Sequence, residues 1–527
     1  MDAPQVDRNT PVPSSGAVGT AGFLIRAFNR IFARQTLYAA LLMLWVLALT
    51  GNLGKPELQL RDPDIWWHLA DARIVTATHR FIRVEPYSFT VAGERWINPE
   101  WLSEMPYWFG YRSLGLRGIF LVTVIGLCAN LLFVYLRSYW RSRHAGAAFW
   151  TAVLGFMLMT VNDGPRTIVI AYLAMSALLA ILEAAERGKA HLLWLLPPLF
   201  CLWINLHGSW IIGLGLLALY IFCGLFSFNR GVFEQQAYSA KDRTRLLLVF
   251  FACLAVLIVN PYGWRMIWNP FDMMMNQKLN IANVQEWQPL NLSTILGGAV
   301  LLAIGLMVVA NCLRGRKWKI YELAFIFFAW FAAFDHMRFT FLAGVLTIPL
   351  LAGDVARSFF AKPNEKTIPV FNALFVAGAV WAMVILFPSE ATLQKGLAAR
   401  FPLQTIASIQ PSWRIYNQDT LGGIMDFYSK SPMVDTRWDT FEHHGELQDF
   451  LDIMRFQEPL KLLDKYRIDH VLVSEKWPIA FLLERTPGWR VETREGNGDD
   501  TFVLLARTPG AGGDQPPCAA PSAQGKQ

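Results

Sequence analysis

About eleven strongly apolar stretches, most of them near the ~20 residues a helix needs to cross a bilayer core, recur along this chain. They fall at 36–53, 117–136, 147–163, 167–184, 191–207, 209–227, 246–261, 291–312, 319–335, 338–353 and 368–387. One water-soluble core cannot absorb them: 54% of the 527 residues are hydrophobic, only 17% are charged, and 37 Phe and 21 Trp add large side chains. The expected fold is mainly α, a polytopic membrane helix bundle of about 11 spans, with a C-terminal α/β soluble domain.

Charge between the spans is ordered. Arg26/Arg30/Arg34, Arg137/Arg141/Arg143, Arg187/Lys189, Lys241/Arg243/Arg245, Arg314/Arg316/Lys317/Lys319 and Arg357/Lys362/Lys366 occupy alternate connections. Basic connections stay cytoplasmic, so every cluster agrees with N inside, C outside and an odd number of crossings. The net charge of +7 is therefore a topology signal, and no nucleic-acid partner is expected. No Gly-rich phosphate loop supports ATP or a soluble nucleotide-sugar as donor.

Residues 1–22 are polar and read as a disordered N-terminus. The first span lacks a small-residue cleavage site and reads as a retained anchor. The membrane domain is expected over 23–387, with a long first outward loop at 54–116. Composition turns charged and mixed over 388–507, the expected outward α/β domain, before a disordered tail at 508–527. Strands are expected there at Arg414–Asn417, Met433–Arg437, His470–Ser474, Trp489–Thr493 and Thr501–Ala506, with helices near 393–409, 444–455, 458–466 and 477–485. Glu495-Gly496-Asn497-Gly498 suits a hairpin turn before the last strand. Five of the six cysteines lie in or at the ends of spans, none placed to pair in the outward domain and none in a metal-thiolate spacing.

Chemistry concentrates in the first outward loop. Asp62-Pro63-Asp64-Ile65-Trp66-Trp67-His68 is followed by Trp96-Ile97-Asn98-Pro99-Glu100-Trp101. Acids just outside a hydrocarbon slab anchor poorly in lipid but can activate a hydroxyl or hold a cation. Asp64 and His68 share one face of a helix, and Ile65, Leu69 and Ala72 another, which suits a short helix along the membrane surface. Asn98-Pro99-Glu100 reads as a helix start with Asn as the cap, so Glu100 is either a capping acid or a substrate ligand. The tryptophans, Trp67 among them, fit an interfacial aromatic belt or a stacking surface for sugar or lipid.

Other outward connections add Asn162-Asp163-Gly164-Pro165-Arg166, Asn205-Leu206-His207-Gly208, Asn260-Pro261-Tyr262-Gly263-Trp264-Arg265 and Asp335-His336-Met337-Arg338. Arg166, Arg265 and Arg338 run against the charge bias and are candidates for binding an anion such as a lipid phosphate, or for pairing with a nearby Asp. His207 and His336 read as structural hydrogen-bonding groups or as ligands within that same cluster.

With these motifs the chain resembles the GT-C superfamily of integral-membrane glycosyltransferases, in a bacterial branch with a D-x-D-x-W-W-H-L first loop. The resemblance rests on Asp62-Pro63-Asp64 with Trp66-Trp67-His68, the second acidic site at Glu100, the Asn205–Gly208 and Asn260–Gly263 segments and Val434-Asp435-Thr436-Arg437. It implies a multi-pass protein of the bacterial cytoplasmic (inner) membrane, its C-terminal domain outside. The implied reaction moves a sugar from a polyprenyl-phosphate donor to a glycan, lipid or protein acceptor, with inversion. Asp64, then Asp62, would serve as base. Arg166, Arg265 or Arg338 would stabilise the departing phosphate, and Glu100 and His68 would place the acceptor or a divalent ion, whose need the resemblance leaves open. Trp67, Asn98, His207, Tyr262 and His336 complete the expected binding set. The missing Trp-Trp-Asp motif in the C-terminal domain argues against peptide-asparagine transfer. A transporter or flippase for lipid-linked glycans, or a non-catalytic assembly protein, is the alternative.

Overall fold

Each of the eleven apolar stretches contains a helix in the computed structural model, which describes residues 20–51, 60, 62–159, 164–314, 316–360, 368–496 and 501–508. The expected Asn162-Asp163 pair, the Asn497-Gly498 turn and residues 1–19 and 509–527 of the two tails lie outside the described residues, while the last three residues of the expected disordered stretch 1–22 begin the helix Thr20–Ile31. By length and apolarity, Leu116–Ser142, Thr167–Glu186, Ile295–Leu313, Met337–Phe359 and Pro369–Leu386 can each cross a membrane. The bent pair Phe23–Ile31 and Arg34–Thr50, which meet at 42°, adds a sixth among the described residues. Ala145–Met157, Ala190–Leu206 and Trp210–Cys223 are apolar but shorter.

The surfaces of these helices suit lipid. Along Pro369–Leu386 only Ala379 is buried, while Phe371, Leu374, Phe375, Trp381 and Val384 stand exposed. Water would penalise such a face, whereas hydrocarbon does not. The inner faces pack into one core in which Tyr135, Tyr172, Phe200, Trp203 and Phe341 are buried. This is a multi-pass membrane protein.

Four helices frame the polar region: α1 (Asp64–Thr78), α2 (Trp101–Leu114), α3 (Leu116–Ser142) and α4 (Thr167–Glu186). The Asp62 carboxylate accepts the Asp64 N–H at 3.0 Å, which starts α1 with acid at the positive end of its dipole. The expected membrane-surface helix is instead an interior one, since every residue from Ile65 to Ala72 is buried. Trp66, Trp67 and Trp96 are buried in protein and form no interfacial belt. The cover comes from the C-terminal domain, whose helix α5 (Asp419–Phe427) packs along α1. A Cβ on Gly423 would stand 2.6 Å from the Pro63 carbonyl oxygen, and one on Gly422 would stand 2.4 Å from the Asp435 Cα. Only glycine lets this helix lie so close on both sides. Ile65, Trp66, Leu69 and Tyr107 share a core with Ile406, Leu421, Ile424 and Phe427, so loop and domain form one packed unit.

The domain carries a four-stranded sheet of β1 (Ile415–Asn417), β2 (His470–Ser474), β3 (Trp489–Glu495) and β4 (Phe502–Arg507) in the order β1-β2-β4-β3. β1 and β2 are parallel, and the β2/β4 and β3/β4 pairs are antiparallel, with a bulge between Val491 and Thr493. The expected helix over 393–409 breaks into Glu390–Arg400 and Leu403–Ser408, as Pro402 requires. The strand expected at Met433–Arg437 does not form. The Asn417 side chain takes the Met433 N–H and donates to the Val434 carbonyl, each at 2.8 Å, while Ser88 and Thr90 donate to the Met433 carbonyl at 3.1 and 2.7 Å. Side chains satisfy this backbone in place of a sheet ladder.

Candidate functional site

The start of α1 brings Asp62 and Asp64 beside Arg166, the residue just before α4. Arg166 pairs with Asp62 and with Glu286, and lies 3.8 Å from Asp64. Burial opposes its charge, but Asp62, Asp64 and Glu286 outweigh that and hold the guanidinium well above its ordinary range. Asp62 is fully occupied, one oxygen on the helix start and the other on Arg166. Asp64 keeps 30% of its side chain open, yet sits deep in the protein beside Thr436 of the C-terminal domain. That depth, then the neighbouring Asp62 charge, raises it to about 7.

One helical turn on, a second acid centre forms around Glu100. Asn98 accepts the Glu100 N–H at 2.9 Å, which turns the chain into α2. Asn98 is therefore a turn residue ahead of the helix and not the expected cap: α2 begins at Trp101 with Glu100 at the cap position, making no side-chain capping bond, and the Glu100 side chain is aimed inward. Glu100 meets the Thr167 hydroxyl, His207 Nε2 at 3.2 Å and His68 Nε2 at 3.5 Å. Because His207 Nδ1 accepts the Ser209 N–H at 2.9 Å, the neutral ring carries its proton on Nε2 and donates to Glu100. Burial, with Arg338 nearby, lowers His207 to about 3 and keeps it neutral. Burial raises Glu100 to about 7, the Asp64 charge adding to it and the Thr167 hydroxyl opposing. Two carboxyl groups in electrostatic reach of each other thus both titrate near neutrality.

Beneath them lies a layer that spacing could have found. His68 Nδ1 is 2.9 Å from Glu104, and Asn98 Nδ2 donates to Glu104 at 2.8 Å and to Asp71 at 3.0 Å. The Tyr87 hydroxyl donates to Asp71 at 2.6 Å. Burial raises Asp71 to about 8 and Glu104 well above its usual range, and it holds His68 neutral, well below its usual value. Asp64, His68 and Asp71 recur at i, i+4, i+7, and Glu100 and Glu104 at i, i+4, both one-face helical patterns. Glu286, in a single turn of 3₁₀ helix, carries no such signal.

The other sequence candidates divide. His207 and Asn98 belong to the Glu100 centre, and His68 joins its two acids. Arg338 acts electrostatically on Glu100 and His207 while its guanidinium stacks 4.2 Å over Trp287. His336 lies 2.6 Å from the Trp287 carbonyl and fixes that turn. The Tyr262 hydroxyl donates to the Ile82 carbonyl at 2.8 Å, latching the Asn260–Gly263 turn to the first loop. Arg265 is exposed, outside the ion pairs that join the acids. Trp67 packs against His68, their ring centroids 3.6 Å apart, and against the buried Arg437, which pairs with Glu85 at 2.8 Å and with Asp435 at 2.5 Å. Arg437 fastens the C-terminal domain to the loop. Among the described residues, no three acid, histidine or cysteine side chains form a group that could hold a metal ion.

No family model and no curated protein matches this chain. Solved structures do. The oligosaccharyltransferase of Archaeoglobus fulgidus, tethered with an acceptor peptide, is similar over 84% of this chain and 70% of that one, with a TM-score of 0.53 and 11% identity. The AglB oligosaccharyltransferase of that organism, in complex with an inhibitory peptide and a dolichol-phosphate, matches over 83% and 69% with a TM-score of 0.52 and 11% identity. ArnT from Cupriavidus metallidurans in the apo state matches over 94% and 100% with a TM-score of 0.50 and 15% identity. These neighbours are GT-C glycosyltransferases. The chain has the GT-C fold. On it, the two acid centres stand where the first loop, the shorter connections and the C-terminal domain converge.

Proposed function

We propose that this GT-C protein transfers a sugar from a polyprenyl-phosphate donor to an acceptor hydroxyl of a glycan, lipid or protein at the outer face of the bacterial cytoplasmic membrane. The observation that carries the reading is Asp64: part-open, titrating near 7, with Asp62 and Arg166 behind it and Glu100 across from it. A base is most effective when its pKa lies near the working pH. Asp64 takes the acceptor proton while the acceptor oxygen bonds to the anomeric carbon. The bond from that carbon to the lipid phosphate breaks on the opposite side, inverting the centre.

The leaving phosphate needs a cation that its neighbours have not already claimed. Arg166 is committed to three carboxylates, whereas Arg338 makes no ion pair among the described residues. Arg338 is thus assigned to the phosphate and Arg166 to holding Asp62, Asp64 and Glu286 in place. Glu100, with His68 and His207, orients the acceptor. No step is written through a metal. The dolichol-phosphate in the AglB complex is consistent with a lipid-phosphate donor for this fold.

Membrane orientation follows the charges. Asp64, Glu100 and Arg338 lie at one end of the bundle, while Arg137, Arg141, Arg187, Arg316 and Arg357 lie at the other. That arrangement supports an odd number of crossings with N inside, a membrane domain over 23–387 and an outward domain over 388–507.

The test is sugar transfer by purified protein from a panel of polyprenyl-phosphate sugars, wild type against Asp64→Asn and Asp62→Asn. Turnover lost in Asp64→Asn with donor binding retained supports the base. Donor binding without turnover for any acceptor, unchanged in both variants, replaces this reading with transport or assembly.

A further inference from the structure

The end of the bundle away from Asp64 holds a second polar centre. α4 runs from Thr167, beside Glu100, to Glu186, a length of about 30 Å at 1.5 Å per residue. At that far end is a cavity of about 400 Å³. Its wall includes Arg141, Arg187, Arg316, Lys317 and Arg357 together with Trp140, and no carboxylate.

The acids stand behind these cations. Arg141 lies 3.0 Å from Glu183 and 2.7 Å from Glu322, Arg187 lies 3.6 Å from Glu183, and Arg316 lies 3.4 Å from Asp354. Arg316 also meets Glu322 and the Leu350 carbonyl, and Lys317 lies 3.4 Å from Glu234. A charge bias that merely retains loops on one side of a membrane requires basic residues, but it requires no cavity and no ordered acid layer. Fixed from behind, the guanidinium groups hold their orientation; Arg357 likewise meets Asp354, while Arg187 and Lys317, each with one carboxylate partner among the described residues, at 3.6 and 3.4 Å, are the cations an entering anion reaches. Arg187 lies over the Trp140 ring at 5.4 Å, an aromatic of the kind that sits at headgroup depth.

We infer that this cavity binds a phosphate group, carried by an anionic membrane lipid or free in solution, at a site separate from the acid centres. Basic pockets between helices at the cytoplasmic side take anionic headgroups in this way. The site involves no covalent step and does not depend on sugar transfer.

The experiment uses the full chain in zwitterionic detergent. Native mass spectrometry reads retention of phosphatidylglycerol against phosphatidylcholine, and thermal unfolding reads the effect of inorganic phosphate. The test variant is Arg187→Gln/Lys317→Gln; the control, Lys461→Gln/Arg485→Gln, removes two exposed cations of the C-terminal domain. Retention of phosphatidylglycerol over phosphatidylcholine, reduced about tenfold in the test variant and unchanged in the control, assigns a lipid headgroup; that factor is what one charge-assisted hydrogen bond contributes. A phosphate-dependent rise in Tm that the test variant loses, without lipid preference, assigns free phosphate. Equal retention of both lipids with no phosphate effect, or a preference that survives the test variant, overturns the inference. If the double substitution lowers yield, Lys317→Gln alone, at a side chain 57% exposed, gives the same readings.

Discussion

At one end of the bundle Arg137 lies 3.0 Å from Glu183, and Arg141 is shared between Glu183 and Glu322, each carboxylate answered by at least two guanidinium groups. At the other, Asp62, Asp64 and Glu286 crowd onto Arg166, and the direct side-chain partners of Glu100 and Glu104 among the described residues are neutral histidines, Thr167 and Asn98. Both ends bury charge, but at the first the matched pairs hold helices together, while at the second burial raises Asp64, Glu100 and Glu104 and makes them able to exchange protons. The π-helical turn Ala343–Thr347 fits the first pattern, since Arg137 takes the Val345 carbonyl at 2.5 Å.

That contrast breaks most sharply at Asp64. Asp64→Asn should lower transfer by about 10²–10⁴-fold, the range for losing a general base. Its Tm should hold or rise, because one of three carboxylates crowding a single guanidinium has been neutralised; a loss of folding equal to the loss of rate would make Asp64 a structural acid. Arg137→Met should do the reverse, costing about 3 kcal/mol of stability by stripping a cation from the buried Glu183. Denaturant unfolding in detergent reads it, and the folded fraction should keep its specific transfer rate. Adding Glu183→Met should restore most of the loss.

A smaller effect is expected at Arg338. Arg338→Gln should reduce transfer about 10–100-fold without a change in Tm, the worth of a charged hydrogen bond to a developing anion. An equal effect from Arg265→Gln would instead point to the exposed arginine. The weakest signal is in pH. Asp64 and Glu100 titrate at about 7 and Asp71 at about 8 in the folded chain, above their unfolded values. Such groups weaken folding as pH rises from about 4 toward the folded values and then level off. Transfer, which needs ionised Asp64, should climb over the upper part of that window while Tm falls. Parallel profiles would mean that the acid end is matched after all.

Much of the membrane part was legible because a bilayer leaves few solutions. Long apolar runs must be helices there, and the positions of all eleven stretches follow from hydropathy alone. Asp62, Asp64, Glu100, His68 and His207 were legible as polar groups at one face. Arg166 was legible as a cation but not as one already claimed by three acids, because Glu286 lies 120 residues away and carries no motif. Local composition favours a strand at Met433–Arg437. None forms, because Asn417, Ser88 and Thr90 supply the backbone partners from other segments.

The sequence by itself determined that this chain is a helical membrane protein, since hydrocarbon leaves backbone polar groups no partner outside a helix. It also determined which short segments carry acids at helical spacing. Only the tertiary structure decided that the C-terminal domain covers α1, that Gly422 and Gly423 let it approach, and that Asp64 and Glu100 titrate near neutrality. Those outcomes depend on distance and burial between residues hundreds of positions apart, and a pKa is set by what surrounds a carboxylate in space.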